Sequence, residues 1–272
     1  MLSIFYEKLN PEINLFGLAR NEEDGKILEA KGVTPRIGDY TDKNSLVKAF
    51  EGIDRLLFVS VPNHDLQKNV VEAIKESSIK FVAYTSINGI EYSKLGLEIN
   101  HKQTEELIKN TGVAHTFLRN SWYLDLDRDL VLSAGKTGKF YYTANGGVNS
   151  WALKSEYAEA GARVILADNN PEIVHLSRTP HSYLELADAI VEATGKTLEI
   201  KQVDEAEFEK FITEADIQGA YLALAKMMQT YVQNGNNGEE NNTPTDFERI
   251  LGRKLAPLSQ IVKEYLKENG IV

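Results

Sequence analysis

The amino-acid sequence predicts an α/β fold built on a parallel sheet. Short apolar runs alternate with stretches of helical spacing through residues 13–120, and the runs end in polar or turn residues. This alternation is typical of parallel strands joined by crossover helices. The run at residues 55–59 is apolar without interruption after Arg55, as expected for a strand that is covered on both faces.

Five strands and four helices are predicted in this part of the chain. The strands cover residues 13–18, 33–37, 55–59, 80–86 and 113–118, and the helices cover residues 22–31, 43–50, 65–77 and 100–110. Gly32 and Gly112 end the first and last of these helices. Thr41 or Asp42 caps the second helix. Residues 1–9 also have helical spacing, which ends at Asn10-Pro11.

The pattern changes after Tyr123, where helices predominate. Helices are predicted over residues 125–134, 154–167, 181–194, 205–214, 220–232, 247–251 and 258–267, and short strands over residues 140–142, 174–176 and 197–203. Thr179 is the expected cap of the helix at 181–194. Residues 234–243 contain five asparagines, and this composition predicts a flexible loop.

Composition excludes several classes of function. The chain has 272 residues, a net charge of −10 and no cysteine. The negative charge disfavours binding to nucleic acid and to anionic membranes, and the absence of cysteine excludes disulfides and thiolate metal sites. No apolar run reaches the ~18 residues of a membrane span, and the five histidines are scattered without metal-ligand spacing. We expect a cytoplasmic protein without a metal centre, as a monomer or homodimer that acts on a small molecule.

Several local strings together resemble the NmrA-like branch of the atypical short-chain dehydrogenase/reductases, in particular its type 2 quinone oxidoreductases and triphenylmethane reductases. The strings are Leu18-Ala19-Arg20-Asn21, Gly38-Asp39-Tyr40, Ala83-Tyr84-Thr85-Ser86, His101-x-x-Thr104-Glu105, Leu118-Arg119-Asn120-Ser121-Trp122-Tyr123, Glu156-Tyr157-Ala158 and Leu251-Gly252-Arg253-Lys254. The resemblance implies a Rossmann-like, doubly wound parallel sheet with a smaller, mostly helical substrate domain. Residues 1–124, with 150–178, would then bind NAD(P), and residues 125–149 and 179–272 would bind the substrate.

The first strand of that family and its glycine-rich phosphate-binding loop have no counterpart in the chain, so the predicted sheet is truncated at its N-terminal side. By comparison with the family pattern, about a dozen residues are missing, which is the length of one strand and a turn. Three explanations stay open: a misassigned start, a genuinely shortened paralogue with weak or lost dinucleotide binding, or a rearrangement of the first six residues to fill the gap.

The resemblance also implies cofactor-binding residues at the ends of successive strands. They are Arg20, Asp39, Tyr40, Ser60, Val61, Pro62, Thr85 and Ser86. An arginine at the position of Arg20 suits the 2′-phosphate of NADP, which favours NADP(H) over NAD(H), although a chain without the glycine loop could bind neither. The alternative for Arg20 is an ordinary surface arginine, and the alternative for Pro62 is a residue that only ends its strand.

The nicotinamide end and the acceptor surface are expected in the segment after the strand at 113–118. The resemblance assigns Asn120, Ser121, Trp122 and Tyr123 to this region and places the basic Lys154 nearby. The two aromatic rings offer flat surfaces to a planar substrate, unless they are simply packed between domains.

No catalytic residue is identified, and His101 and Tyr123 are the remaining candidates. His101 shares a helix face with Thr104 and Glu105, which is also typical of a structural hydrogen-bonded cluster. In Tyr92-Ser93-Lys94 the lysine follows the tyrosine by two residues, so a Tyr–Lys proton relay on one helix face is not predicted.

Two functions are compatible with this sequence. The first is hydride transfer from NADPH to a quinone or a similar planar, electron-poor acceptor. The second is a non-catalytic NmrA-like protein that senses NAD(P) and regulates a partner, or a degenerate paralogue that no longer binds the dinucleotide.

Overall fold

The computed structural model describes residues 13–214 and 220–272. The helix predicted at residues 1–9 therefore lies outside the described residues. The chain divides into two compact units, Met1–Asn120 with Ser155–Leu176, and Ser121–Lys154 with Ser177–Val272. The functions assigned to the two parts of the chain stay predictions.

The described residues form short strands separated by helices. The strands are β1 Phe16–Ala19, β2 Thr34–Ile37, β3 Arg55–Phe58, β4 Phe81–Ile87, β5 Ala114–Asn120, β6 Lys139–Tyr142, β7 Val148–Asn149, β8 Ile173–Leu176, β9 His181–Ser182 and β10 Glu199–Gln202. The helices are α1 Glu22–Glu29, α2 Lys43–Ala49, α3 His64–Lys75, α4 Leu97–Lys109, α5 Arg128–Thr137, α6 Lys154–Leu166, α7 Tyr183–Thr194, α8 Glu205–Glu214, α9 Ala220–Asn234, α10 Thr245–Leu251 and α11 Leu258–Glu268.

The first unit contains two parallel sheets. Strands β3, β4, β5 and β8 form one of them in that order, and β1 pairs with β2 in the other. Phe58 of β3 lies opposite Tyr84 of β4, which in turn lies opposite Phe117 of β5. All these pairs are parallel, as the alternation of strands and helices predicted. The α/β fold class is therefore confirmed.

The core of the first unit lies between its strands and helices α2 to α4. Its completely or almost completely buried members include Leu46, Val70, Ile74, Val82 and Ile108, which come from alternating helices and strands. Polar caps fix the starts of two of these helices. The side chain of Asp42 accepts from the Asn44 N–H, so Asp42 rather than Thr41 caps α2. Asn63 caps α3 in the same way.

The second unit combines helices with two small sheets. Strands β6 and β10 are parallel, whereas β7 and β9, which were not predicted, are antiparallel. The cap predicted for α7 is wrong: Ser182, not Thr179, accepts from the Glu185 N–H, and Glu185 bonds back to Ser182 in a capping box. The helix therefore begins two residues later than predicted, because His181 and Ser182 belong to β9.

The asparagine-rich segment at residues 234–243 is mostly loop, as predicted, with one short helical turn, and its flexibility stays a prediction. Asn234 is the last residue of α9, and Glu239–Asn241 form a 3₁₀ turn. Asn237 and Glu239 are buried, and their side chains take part in hydrogen bonds. Composition did not show that part of this loop is buried, since Asn236, Glu240 and Asn241 are exposed.

Candidate active site

The carboxyl ends of β3, β4, β5 and β8 lie at one edge of their sheet, because the four strands are parallel. Ser60 and Thr85, which were predicted to lie at the ends of different strands, meet at this edge. The Ser60 N–H donates to Thr85 Oγ1 over 2.8 Å, and the Thr85 hydroxyl donates to Ser60 Oγ over 3.0 Å. The Thr85 side chain therefore holds the backbone of Ser60 in the loop that follows β3.

Gln67 holds the next residue of that loop, and the sequence analysis did not identify it. Its Oε1 accepts from the Val61 N–H at 3.2 Å and from the Tyr84 hydroxyl at 3.1 Å. Its Nε2 donates to Asn100 Oδ1 and Thr104 Oγ1. Gln67 is completely buried in the first turn of α3. The backbone at Val61 is thus held by a side chain whose oxygen and nitrogen both make further hydrogen bonds. The next residue, Pro62, is exposed.

Tyr40 connects the two sheets of the first unit. Its hydroxyl donates to the Val59 carbonyl over 3.0 Å, and its own carbonyl accepts from Asn69 Nδ2 at 2.8 Å. The ring contacts Phe58 edge to face. Burial raises the pKa of the Tyr40 hydroxyl to about 12, so this group is a neutral donor.

Arg20 and Asp39 follow the adjacent strands β1 and β2. Both the hydroxyl and the N–H of Thr41 donate to Asp39 Oδ1 at 2.7 Å. These bonds, with a smaller contribution from the Arg20 charge, hold the pKa of Asp39 below its ordinary value. The Arg20 side chain is 78% exposed, and its Nε lies 3.9 Å from Asp24. One oxygen of the Asp39 carboxylate is therefore occupied, and the Arg20 guanidinium is open to solvent.

The Ser86 hydroxyl is buried and directed to a carboxylate. It donates to Glu105 Oε1 over 2.6 Å, and the same carboxylate accepts two hydrogen bonds from the Arg119 guanidinium. This cluster joins α4 to the ends of β4 and β5. Ser86 is therefore buried, and its hydroxyl bonds to Glu105.

His101 belongs to a second buried cluster. Its Nδ1 lies 2.8 Å from the Tyr84 hydroxyl. Burial lowers the pKa of His101 to about 4, although the Glu105 charge acts in the opposite direction. The ring is therefore neutral at physiological pH, and this supports the structural interpretation of His101 over a role as proton donor.

The boundary between the two units falls at the end of β5, between Asn120 and Ser121. Asn120 is the last residue of β5, and its carbonyl accepts from the Asn88 N–H at 2.8 Å. In the second unit, the Ser121 hydroxyl donates to Glu239 Oε2 over 3.3 Å. Trp122 is only 7% exposed and meets the Tyr231 ring edge to face, with centroids 5.2 Å apart.

The remaining predicted residues, Tyr123 and Lys154, are also in the second unit. Tyr123 pairs through its backbone with Ala152. The Lys154 ammonium lies 2.8 Å from Asp125 Oδ1, and its side chain is 60% exposed. Lys154 is therefore accessible, and Asp125 is already close enough to neutralise it.

Two polar features at the end of β4 were not predicted. Lys94 is 1% exposed, and a Cβ at Gly89, whose φ is +63°, would lie 2.9 Å from Lys94 Cε. Glycine is thus required there by both backbone and packing. In addition, Asn88 Oδ1 lies 2.7 Å from Nδ1 of His175, on β8. The contact between Asn88 and His175 could not be predicted from local spacing, because the two residues are far apart in sequence.

The second unit contains a cavity of about 300 Å³. Its walls come from β10, α8, α9 and the loop after β6, and they include Thr143, Gln202, Asp204, Lys226 and Gln229. None of the predicted site residues lines this cavity. Among the described residues, no group of histidines and carboxylates could hold a metal ion, and no helix is long and apolar enough to cross a membrane.

Comparison with known families identifies the chain. The model of the NAD(P)H-binding family matches residues 5–144, which is more than half of the sequence. The chain belongs to the NAD(P)H-binding family. The predicted resemblance is confirmed, and so is the expectation of a nicotinamide dinucleotide as cofactor.

The relatives of this family member are similar over almost their whole length. Quinone oxidoreductase 2 of Escherichia coli (strain K12) is 27% identical over 272 residues, which cover 97% of this chain and 93% of that protein. The structure of Citrobacter sp. triphenylmethane reductase in complex with NADP(H) has a TM-score of 0.86 at 29% identity, covering 97% of this chain and 95% of the reductase. The NADPH complex of the Escherichia coli quinone oxidoreductase has a TM-score of 0.83 at 26% identity, with 97% and 94% covered.

Proposed function

We propose that this chain is an NADPH-dependent oxidoreductase that reduces a quinone or a similar planar, electron-poor acceptor. Support comes from its similarity, over nearly the whole chain, to quinone oxidoreductase 2 of Escherichia coli and to the triphenylmethane reductase of Citrobacter sp.. The observation in the chain itself that carries the proposal is the exposed Arg20 guanidinium beside an Asp39 carboxylate that is already bonded to Thr41.

That arrangement supports a preference for the phosphorylated adenosine ribose of NADP(H). A carboxylate at such a position can accept from the 2′-hydroxyl of NAD, but both donors of Thr41 already bond to Oδ1 of Asp39, which leaves only Oδ2 for a ribose. A guanidinium that is open to solvent suits the 2′-phosphate of NADP, because the contact would be a charge-assisted hydrogen bond. The residues at the ends of β1 and β2 therefore fit NADP(H) better than NAD(H).

The loop after β3 would bind the rest of the dinucleotide along its backbone. Thr85 and Gln67 hold the N–H groups of Ser60 and Val61, so this segment has a fixed conformation before any ligand arrives. A preformed surface loses little conformational freedom on binding. Bound NADPH would supply the hydride, and the side chains would bind and orient the reactants.

The second unit would supply the surface for the acceptor. Trp122 and Tyr123 follow directly after β5, and aromatic side chains pack well against planar molecules. Hydride transfer to a quinone leaves an oxyanion, which can take its proton from water. A dedicated acid is therefore not required, in agreement with the neutral state of His101.

The direct test is oxidation of NADPH and of NADH by the purified protein with 1,4-benzoquinone as acceptor. We expect turnover with both reactants present and a kcat/KM for NADPH at least about tenfold above that for NADH, since one charged contact contributes more than about 1.4 kcal/mol. Binding of NADPH without turnover of any quinone or triphenylmethane dye would instead support the non-catalytic alternative. Failure of the folded protein to bind NADPH would overturn both.

A further inference from the structure

A buried carboxylate in the second unit holds the segment that follows β5. Glu239 is 1% exposed. Its two oxygens accept hydrogen bonds from three side chains. Oε1 accepts from the Tyr231 hydroxyl at 3.0 Å, and Oε2 accepts from Asn242 Nδ2 at 2.8 Å and from the Ser121 hydroxyl at 3.3 Å. All three donors are neutral side chains, and they come from three different segments.

The same carboxylate is linked to the Trp122 ring through Tyr231. The two rings meet edge to face, with centroids 5.2 Å apart and planes at 73°. The Tyr231 hydroxyl donates to Glu239, so one side chain contacts both the Trp122 ring and the carboxylate. Burial, with the Glu239 charge, raises the pKa of Tyr231 far above its ordinary value, so this hydroxyl keeps its proton and remains a donor.

Two asparagines of this segment, Asn237 and Asn242, hold Glu239 in place. Asn237 Oδ1 accepts from the Glu239 N–H, and its Nδ2 donates to the Tyr231 carbonyl. Asn242 donates to Ser150 Oγ over 2.9 Å as well as to Glu239. A segment with the composition of a loop is therefore folded around one carboxylate, and this arrangement fixes both residues that follow Asn120.

We propose that Glu239 is a positioning residue that sets the orientation of Trp122, through Tyr231 and Ser121, for binding of the planar acceptor. This inference rests on the proposed function. Because Trp122 is 7% exposed, only a small part of its ring can meet a ligand, and a small displacement of the ring changes that surface. Glu239 acts through Trp122 and does not itself contact the reactants.

The chain offers a matched control. Asp127 is also buried in the second unit, where it accepts 2.7 Å hydrogen bonds from Trp151 Nε1 and from the Tyr183 hydroxyl. The Trp151 and Tyr183 rings also meet edge to face at 5.2 Å. Both clusters join a buried carboxylate to a tyrosine and a tryptophan, although the Trp151 indole bonds to Asp127 itself, and Trp151 is far from β5 in sequence. A change that is specific to the acceptor should therefore appear at Glu239 and not at Asp127.

The experiment compares Glu239→Gln with Asp127→Asn in the full chain. The Gln amide replaces one acceptor by a donor and so faces Tyr231, or Asn242 and Ser121, with the wrong group. We expect the KM for 1,4-benzoquinone to rise about tenfold in Glu239→Gln while the Kd for NADPH stays within twofold of the wild type. We also expect acrylamide to quench its tryptophan emission more strongly. Asp127→Asn should leave the KM unchanged.

Three results would overturn the proposal. They are an unchanged KM in folded Glu239→Gln, an equal rise in both variants, and unchanged acrylamide quenching. If Glu239→Gln does not fold, Tyr231→Phe replaces it, since the ring stays and only the link to Glu239 is lost; its KM must then rise relative to Tyr183→Phe. If the wild type reduces no planar acceptor, the proposed function fails, and the quenching comparison alone decides whether Glu239 holds Trp122.

Discussion

The Tyr40 hydroxyl donates a hydrogen bond to the Val59 carbonyl and so ties the end of β2 to the end of β3. Tyr40→Phe removes this bond and keeps the edge-to-face contact with Phe58. We expect the free energy of unfolding to fall by about 1 kcal/mol, the usual net value of one hydrogen bond. Urea unfolding measures the difference. A variant as stable as the wild type would mean that the bond contributes nothing to joining the two sheets.

Arg20→Ala tests the choice of dinucleotide. Removal of the guanidinium should raise the Kd for NADPH about tenfold and leave the Kd for NADH unchanged, since NADH lacks the 2′-phosphate. Fluorescence titration of each dinucleotide gives both constants. Lys31→Ala is the control, because Lys31 is an exposed cation that follows α1 and is not a predicted site residue. An equal loss of NADPH affinity in the two variants would mean that only the net charge of the protein matters. Arg20 would then not be a binding residue.

Gln67→Leu tests the support beneath the Val61 backbone. The substitution keeps the approximate volume but leaves the Val61 N–H, the Tyr84 hydroxyl, Asn100 and Thr104 without this partner. Unsatisfied buried groups cost about 1–3 kcal/mol each, and partial rearrangement should leave a total loss of about 3 kcal/mol. Gln260→Leu, on the exposed side of α11, should change stability by less than about 0.5 kcal/mol. Similar losses in the two variants would contradict the assignment.

His101 should make the protein less stable in acid. Its pKa is about 4 in the folded chain, below the ordinary histidine value of 6.5 that applies once the chain unfolds, so the unfolded chain binds more protons between these values. The stabilising contribution is complete above pH 6.5 and is lost as the pH falls through 4. It amounts to about 3 kcal/mol over that window. His101→Asn removes this dependence, and the difference from the wild type in thermal unfolding at several pH values measures it.

Asp127 should act in the opposite direction. Burial raises its pKa to about 6 from 3.8, despite the bonds from Tyr183 and Trp151, so the folded chain binds more protons between these values. Stability therefore falls as the pH rises from about 4 to 6, by about 3 kcal/mol in total. Asp127→Asn should lose this decline. If it follows the same pH curve as the wild type, the carboxyl group does not titrate in that range.

Local patterns in the sequence were sufficient for most of the fold. Glu205–Glu214 has the predicted bounds, and Phe81–Ile87 differs by one residue at each end, because burial on both faces and helix boundaries are encoded by neighbours in the chain. The error at α7 is not local: His181 and Ser182 are compatible with a helix start in sequence, but in the structure they pair with β7. Pairing of that kind depends on residues more than thirty positions away.

The candidate site was only partly predictable. The sequence pattern assigned Ser60, Thr85 and Asn120 to strand ends. Because the carboxyl ends of parallel strands meet at one edge of the sheet, these residues could be grouped into one site. Gln67 and Glu239 could not, since a buried amide or carboxylate is indistinguishable in sequence from an exposed one. Their role depends on long-range partners, such as Tyr84 for Gln67 and Ser121 for Glu239.

The unequal lengths of the strand pairings in the first unit have a consequence for hydrogen exchange. Strands β4 and β5 are paired over seven residues, whereas β1 and β2 are paired over four, with Leu18 and Ile37 exposed. Short pairings with little apolar cover open at lower free energy than the centre of a sheet. Backbone amides of β1 and β2 should therefore take up deuterium well before those of β4 and β5. Bound NADPH should slow the uptake most at the end of β1, next to Arg20.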